Sequence, residues 1–446
     1  MKKLLTNNAK LAVLYYLRFF AKLQLKKINP KIIGITGSVG KTSTRNAVEA
    51  VLKNTGIVKI SKKANSETGI PLNILGIKIR DYSYIDWIRI LVLAPVKLVL
   101  NWEKVDTYIV EMGIDSPHPP KNMSYLLTIL KPHVGVFLNA QAVHSEPFDH
   151  LIEEDQKSDR EKKARELIGN EKGKLITSLP ENGTSVLNID DENVSKFISL
   201  TKANIITFGY DDRAAVQIEN VIPTLKGTWF SFKHHNQMEK FVFPTAALGN
   251  AFGYTFAAAI SVGISQGLSL DECVQNLKTY YKLPKGRMSL IPGINQSIII
   301  DSSYNASTIP MIDALNTLNA IAPGRKIALL GDMREMGEES ELAHQAVAKI
   351  AFEKCDKVYI VGPMMRKFAA PILGEKASIF STTKDAVQLL INEIKPNDTV
   401  LIKASQNTLF FEHAVEKLMR SPAEAKKVLC RRGEFWDKKR AEVGLD

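Results

Sequence analysis

At 446 residues, with 45% hydrophobic side chains and a formal net charge of +12, the chain is long enough for two or three domains with proper cores. Three widely separated cysteines, Cys273, Cys355 and Cys430, exclude a disulfide framework, argue against zinc, and fit a reducing, cytoplasmic setting. The basic excess suits nucleic acid, anionic lipid or phosphorylated metabolites; no standard nucleic-acid motif is visible, so nucleic acid ranks last.

The charge is concentrated at the ends. The first 31 residues carry eight Lys/Arg and no Asp or Glu, and the last 31 include Lys426-Lys427, Arg431-Arg432 and Lys438-Lys439-Arg440. Residues 11–25 (LAVLYYLRFFAKLQL) are apolar but broken by Arg18 and Lys22, too charged for a spanning helix and without a signal-peptide cleavage site. Two readings stay open: a basic amphipathic helix lying on a membrane surface, or a helix packed on the protein itself. Residues 84–100 have the same character, interrupted by Trp87, Arg89, Pro95 and Lys97. Peripheral contact with the inner face of a membrane is therefore one expectation.

Residues 34–44 read Gly34-Ile35-Thr36-Gly37-Ser38-Val39-Gly40-Lys41-Thr42-Ser43-Thr44. A buried strand precedes this glycine-rich turn, and the apolar spacing of 44–53 predicts a helix after it. That order builds a phosphate cradle: glycines let backbone N–H groups converge, and the helix N-terminus adds positive potential. Gly37, Ser38, Val39, Gly40, Lys41, Thr42 and Ser43 are the candidate phosphate contacts. Lys41 is expected to reach the β/γ-phosphates and Thr42 to ligate Mg²⁺. Ile35 stands where the general pattern has glycine, while the shorter core from Gly37 to Thr42 is intact.

Strands are predicted at 31–36, 57–61, 107–112, 134–139, 185–188 and 205–208, with helices between them. This predicts an α/β fold whose mainly parallel sheet is covered on both faces. Alternation over 216–243 predicts antiparallel hairpins, followed by a small-residue helix at 251–267. Residues 283–287 read as a hinge. A second α/β series follows, with strands at 297–301, 326–331, 357–361 and 399–403. The expected division is a basic helix at 1–30, a central nucleotide domain at 31–283 and a Rossmann-like C-terminal domain at 284–446. Glu111 ends an apolar strand, at the mouth of the sheet where a metal would be held. His144 follows five residues after Asn139.

Together these residues resemble the Mur ligase family, over about residues 31–415, and most closely its D-alanyl-D-alanine-adding branch. The stretch from Gly34 to Thr42 is similar to the family's short phosphate loop. Asn65-Ser66-Glu67-Thr68-Gly69-Ile70-Pro71-Leu72 is similar to its Asn-Asn-Glu-x-Gly-x-Pro stretch. Val110-Glu111-Met112-Gly113, the segment from Asn139 to His144, and Glu171-Lys172-Gly173-Lys174 are similar to its metal-binding stretches. In the C-terminal part the matching runs are Gly286-Arg287, Asp301-Ser302-Ser303-Tyr304-Asn305-Ala306, and Leu330 to Glu338 with His344.

The resemblance implies an ATP-dependent ligase that forms an amide through an acyl phosphate, with two Mg²⁺ ions. Lys41, Glu111, His144, Lys172 and Arg287 are the implied catalytic residues, and Thr42, Glu111, His144 and Lys172 the implied metal holders. Lys172 would act as a carbamate; its charges alone read as a solvated surface lysine. Asn139 and Asp301 are implied nucleotide contacts, and Arg287 the γ-phosphate contact after hinge closure. Family members begin with a domain gripping the UDP of the precursor, for which the phosphate loop at residue 34 leaves no room. Further departures are Ser302 in place of an aspartate, Gly249-Asn250 and Tyr254 in place of a histidine and an adenine-contacting asparagine, and Lys403-Ala404-Ser405-Gln406 in place of Lys-Gly-Ser-Arg. The implied substrates are small-molecule or peptide precursors, with a monomer the default state. Alternatives are a related ligase on another poly-amino-acid or membrane-presented substrate, and a nucleotide-binding scaffold with degenerate catalysis.

Overall fold

A computed structural model describes residues 7–445 except 63, 82, 143–144, 154–156, 245–246 and 406–408. Its first sheet has nine strands: β1 (Lys31–Thr36), β2 (Val58–Ile60), β3 (Thr107–Glu111), β4 (Val134–Phe137), β5 (Thr184–Asn188), β6 (Asn204–Gly209), β7 (Val216–Thr224), β8 (Gly227–His234) and β9 (Gln237–Pro244). The order is β2-β3-β1-β4-β5-β6-β7-β8-β9. Pairing is parallel up to β7 and antiparallel through β8 and β9, as the alternation predicts.

The strand order explains where the site lies. From β1 the chain moves outward to β2, returns to β3 beside β1, then places β4 on the other side of β1. The crevice beyond the carboxyl ends of β1, β3 and β4 is a topological switch point, where α/β sheets bind ligands. These central strands are almost wholly buried because helices cover both faces. Ile33, Ile35, Ile109 and Val136 face the helices Lys41–Val51 and Ala251–Ser265. Ile32, Tyr108, Val110 and Phe137 face the helices Asn7–Ile28 and Lys157–Thr177.

The second sheet contains β10 (Ser289–Pro292), β11 (Ile298–Asp301), β12 (Lys326–Gly331), β13 (Lys357–Val361), β14 (Ala377–Phe380) and β15 (Thr399–Lys403). Its order is β10-β11-β15-β12-β13-β14, parallel except for β10. The sequence pattern misses β10 and β14, the two edges. Both have four residues and are incompletely buried, so neither shows a sustained apolar run.

Helices and loops around the two sheets touch. Asp313, on the helix Thr308–Ile321, accepts hydrogen bonds from the Asn250 and Ala251 amides (3.0 and 3.3 Å) at the start of the helix Ala251–Ser265. Arg160 pairs with Glu338 at 2.8 Å, and the Ser145 hydroxyl donates to the Met336 carbonyl.

Of the two apolar basic segments, the first forms the helix Asn7–Ile28 and the second the helix Tyr84–Leu100. One face of the first is packed on the protein through Leu14, Leu17, Ala21 and Leu25. No helix among the described residues is long and apolar enough to cross a membrane.

Candidate active site

The phosphate loop is pinned from the β4 side. The Ser38 amide donates to the Asn139 carbonyl (3.0 Å), and the Ser38 hydroxyl donates to the Gln141 carbonyl (2.8 Å). Asn139 spends both ends of its amide on Val39, accepting from its N–H and donating to its carbonyl (3.0 and 3.2 Å). Asn139 therefore clamps the loop. Gly40 opens the helix Lys41–Val51 at φ 86°, a left-handed conformation that costs a side-chain-bearing residue free energy.

Lys41 folds back over this turn, donating to the Gly37 and Ser38 carbonyls (2.5 and 3.1 Å). Burial holds its amine below the ordinary range. Glu111 and Asp115 oppose that shift, and Arg287 adds to it. Arg287 thus acts on Lys41 across the two sheets.

At the carboxyl end of β3, Glu111 accepts from the Thr42 hydroxyl (3.0 Å) on one oxygen and pairs with Arg45 (2.6 Å) on the other. The Arg45 guanidinium also donates to the Ser61 carbonyl at 2.7 Å. A hydroxyl and a carboxylate converging at a phosphate loop are the donor set Mg²⁺ takes when phosphates complete its shell. His144 lies outside the described residues, and among those described no cluster of three His, Cys, Asp or Glu forms a metal cage.

Lys172 is buried, contrary to the reading from its charged neighbours. The helix Lys157–Thr177 turns it inward, and Gly173 makes that packing possible: a Cβ there would lie 1.8 Å from the Phe197 ring. Burial, then the Lys41 charge, bring the Lys172 amine down to about 7, with Asp115 and Glu171 opposing. Lowering the amine enlarges its neutral fraction near neutral pH, and only the neutral form can attack CO₂.

The C-terminal residues close the site from above. Arg287 lies over the Tyr304 ring at 4.5 Å, and Arg431 lies over the same ring at 5.1 Å. Arg431 also donates to the carbonyls of Ser303 (3.2 Å) and Tyr304, and pairs with Glu412 at 3.1 Å. Lys403 donates to the Ser302 hydroxyl (3.0 Å) and the Asn305 carbonyl (2.8 Å). Its amine is brought down to about 7 by burial and by Arg287. Asp301 is fully buried beneath this loop, accepting from the Ser303 amide at 3.0 Å, and burial raises its carboxyl above the ordinary range.

Sequence reasoning gave no site role to Arg45, Asp115, Lys403 or Arg431. Lys403 had a usable signal, a lysine ending a fully buried strand. Gln406 lies outside the described residues. Elsewhere, Tyr254 donates to Asp190 (2.9 Å) and meets Tyr210 edge-on, at the carboxyl ends of β5 and β6. A cavity of about 160 Å³ lies between the sheets, lined by residues that include Gln141, Arg165, Thr308 and Met336.

Comparison with known proteins decides the family. The Mur ligase middle domain matches residues 35–263, and the Mur ligase glutamate ligase domain matches 286–406. The chain belongs to the Mur ligase family. This Mur ligase is 28% identical to the UDP-N-acetylmuramoyl-tripeptide–D-alanyl-D-alanine ligase of Synechocystis sp., over 84% of this chain and 72% of that protein. To the enzyme of the same name from Bacillus subtilis it is 26% identical, over 91% and 79%. Its fold is similar to that of a MurF ligase from Thermotoga maritima in complex with ADP, with a TM-score of 0.73 and 23% identity over 93% and 84% of the two chains. As a family member it is an ATP-dependent, ADP-forming amide ligase.

Proposed function

We propose that this Mur ligase adds D-alanyl-D-alanine to a peptidyl cell-wall precursor on the cytoplasmic side of the membrane. The family match and the names of the relatives support the substrate class. The observation that carries the chemistry is the phosphate loop with Lys41 folded over its turn (2.5 and 3.1 Å) and the Thr42 hydroxyl on Glu111 (3.0 Å), where Arg287 from the C-terminal part lowers the Lys41 amine and Lys41 lowers that of Lys172. We place the nucleotide-binding unit at 31–283 and the closing unit at 284–446, with the hinge near Gly286.

A carboxylate is a poor electrophile at neutral pH. In this reading a precursor carboxylate oxygen attacks the γ-phosphorus of ATP, and the bond to the β,γ-bridging oxygen breaks. ADP and an acyl phosphate result. The dipeptide amine then attacks the acyl carbon, inorganic phosphate leaves with the former carboxylate oxygen, and the amine gives up a proton. Lys41 and Arg287 neutralise charge on the moving phosphoryl group. Thr42 and Glu111 would hold one Mg²⁺; His144 and Lys172, as its carbamate, would hold a second. These ions would neutralise the triphosphate charge when bound. Asn139 acts on the nucleotide by fixing Val39, and Asp301 by fixing the loop that carries Tyr304 under Arg287. Contact between the sheets excludes water from an acyl phosphate that would otherwise hydrolyse.

The test is phosphate release by the full chain with ATP and Mg²⁺. Release should require both UDP-N-acetylmuramoyl-tripeptide and D-alanyl-D-alanine. Equal release with single amino acids as acceptor would overturn the substrate assignment, and no release with any pair would favour a nucleotide-binding scaffold.

A further inference from the structure

The helix Tyr84–Leu100 lies beside the helix Asn7–Ile28 and against the helix Gly69–Leu75. The Tyr16 hydroxyl donates to the Leu91 carbonyl (3.0 Å), and Lys27 donates to the Leu98 carbonyl (2.7 Å). Their inward faces form a small core of Leu17, Trp87, Ile90 and Ala94 with Leu72 and Leu75. The outward faces are also apolar, and none of the described chain covers them. Ile85, Ile88, Val92, Val96 and Val99 are all exposed, Ile85 by 78%. Their spacing of three or four puts them on one stripe, about 21 Å long at 1.5 Å per residue. Phe19 (57% exposed), Leu23 and Trp102 (75%) extend the apolar surface. Soluble proteins rarely leave so continuous an apolar surface uncovered without a use for it.

Charge decides what covers it. The helix Asn7–Ile28 has no acidic residue, and Lys22 and Lys26 are exposed on it. The helix Tyr84–Leu100 has one, Asp86, which is buried and paired with Arg89 at 2.5 Å. Apolar stripe, flanking lysines and a peripheral tryptophan are the composition of a surface that lies in the headgroup region of an anionic bilayer.

We infer that these two helices form a peripheral docking face for an anionic lipid bilayer. The surface also bears on the site. Ile70 and Ile74, on the helix Gly69–Leu75 that continues from the 65–68 stretch, pack with Leu14, Ala21 and Leu25 in one core. The Asn65 carbonyl, at the start of that stretch, accepts from the Gly113 amide just past Glu111 (2.9 Å), so docking would hold this side of the site at a fixed orientation to the membrane.

The experiment is flotation of the full chain with vesicles of phosphatidylcholine alone and of phosphatidylcholine with 30% phosphatidylglycerol. The chain should float with the anionic vesicles, and less as salt is raised. Lys22→Gln with Lys26→Gln should weaken partitioning roughly 25-fold, at ~1 kcal/mol per lysine near the surface. Ile88→Glu with Val96→Glu should abolish it, while thermal midpoint and solution ligase activity, which these exposed positions do not touch, stay as in the parent. No flotation of the parent, or equal flotation of the Ile88→Glu/Val96→Glu chain, overturns the inference. So does concentration-dependent dimerisation lost in that variant, which would assign the face to a second copy. Failure of ligation leaves this result unaffected.

Discussion

Replacing Lys172 with methionine should separate stability from catalysis. Burial brings this amine from its ordinary 10.5 down to about 7. At 1.36 kcal/mol per tenfold, keeping the ammonium inside costs about 5 kcal/mol relative to water. The unfolded chain keeps the proton up to the ordinary value, while the folded chain releases it above about 7. Between those limits the unfolded state binds more protons, so stability rises with pH across the window. Below pH 7 the cost is fully present; roughly 2 kcal/mol remains at pH 9 and almost none above 10.5. Lys172→Met removes the group at similar volume. Urea unfolding in CO₂-free buffer should show the variant several kcal/mol more stable at pH 6, converging on the parent by about pH 10.5. Its ligase activity should fall at least ~100-fold, as expected for loss of a charge-stabilising group. In Lys172→Ala, added short carboxylates should restore part of that activity. Full turnover in Lys172→Met, together with a pH-independent stability difference, would refute the reasoning.

Lys41→Ala and Arg287→Ala should each abolish ligation in a phosphate-release assay, and near-normal turnover in either would remove that residue from the mechanism. Glu111→Gln leaves the buried Arg45 guanidinium facing a neutral amide where its carboxylate partner stood at 2.6 Å. It should cost about 3–5 kcal/mol in urea and raise the Mg²⁺ requirement, whereas an unchanged midpoint would show the pair to be dispensable. Gly173→Ala drives a methyl into Phe197 and should lower the thermal midpoint, by ~1–3 kcal/mol or more of stability. Phe197→Leu in the same chain should recover most of that loss; purely additive losses would refute the clash. Asp313→Ala frees the Asn250 and Ala251 amides and should increase the radius of gyration by X-ray scattering, an unchanged radius showing that other contacts hold the sheets together.

The central strands were legible because helices bury them on both faces. Continuous apolar runs mark β1, β12, β13 and β15 to the residue. The edges β10 and β14 were not, since four half-buried residues carry no periodicity. At the site, the phosphate loop and Glu111 announce themselves by local pattern. Arg45 does not: on a helix it reads as one more surface cation, and only the strand β3 beside it supplies Glu111. Arg431 reads as part of a basic tail, yet it returns 128 positions along the chain to hold the Ser303 carbonyl. Lys172 shows the limit most clearly. Its local sequence is charged throughout, and its burial depends on a glycine neighbour admitting an aromatic ring from 24 positions away.

The same cations explain why closure and nucleotide binding should be linked. Arg287 adds to the depression of both the Lys41 and Lys403 amines, and Lys41 adds to that of Lys172. Bringing the C-terminal sheet against the phosphate loop therefore sets like charges together in a buried place, where their repulsion is poorly screened. Asp313, Asp301, Glu111 and Asp115 offset part of this. A polyanionic triphosphate offsets the repulsion between Lys41 and Arg287, the two cations assigned to the moving phosphoryl group. With Arg287 on the phosphates, ATP should favour the closed arrangement by as much as Arg287 contributes, since a ligand shifts an equilibrium only by its differential affinity. ATP should accordingly reduce the radius of gyration of the parent chain in X-ray scattering, and Arg287→Ala should weaken that compaction as well as slow the chemistry.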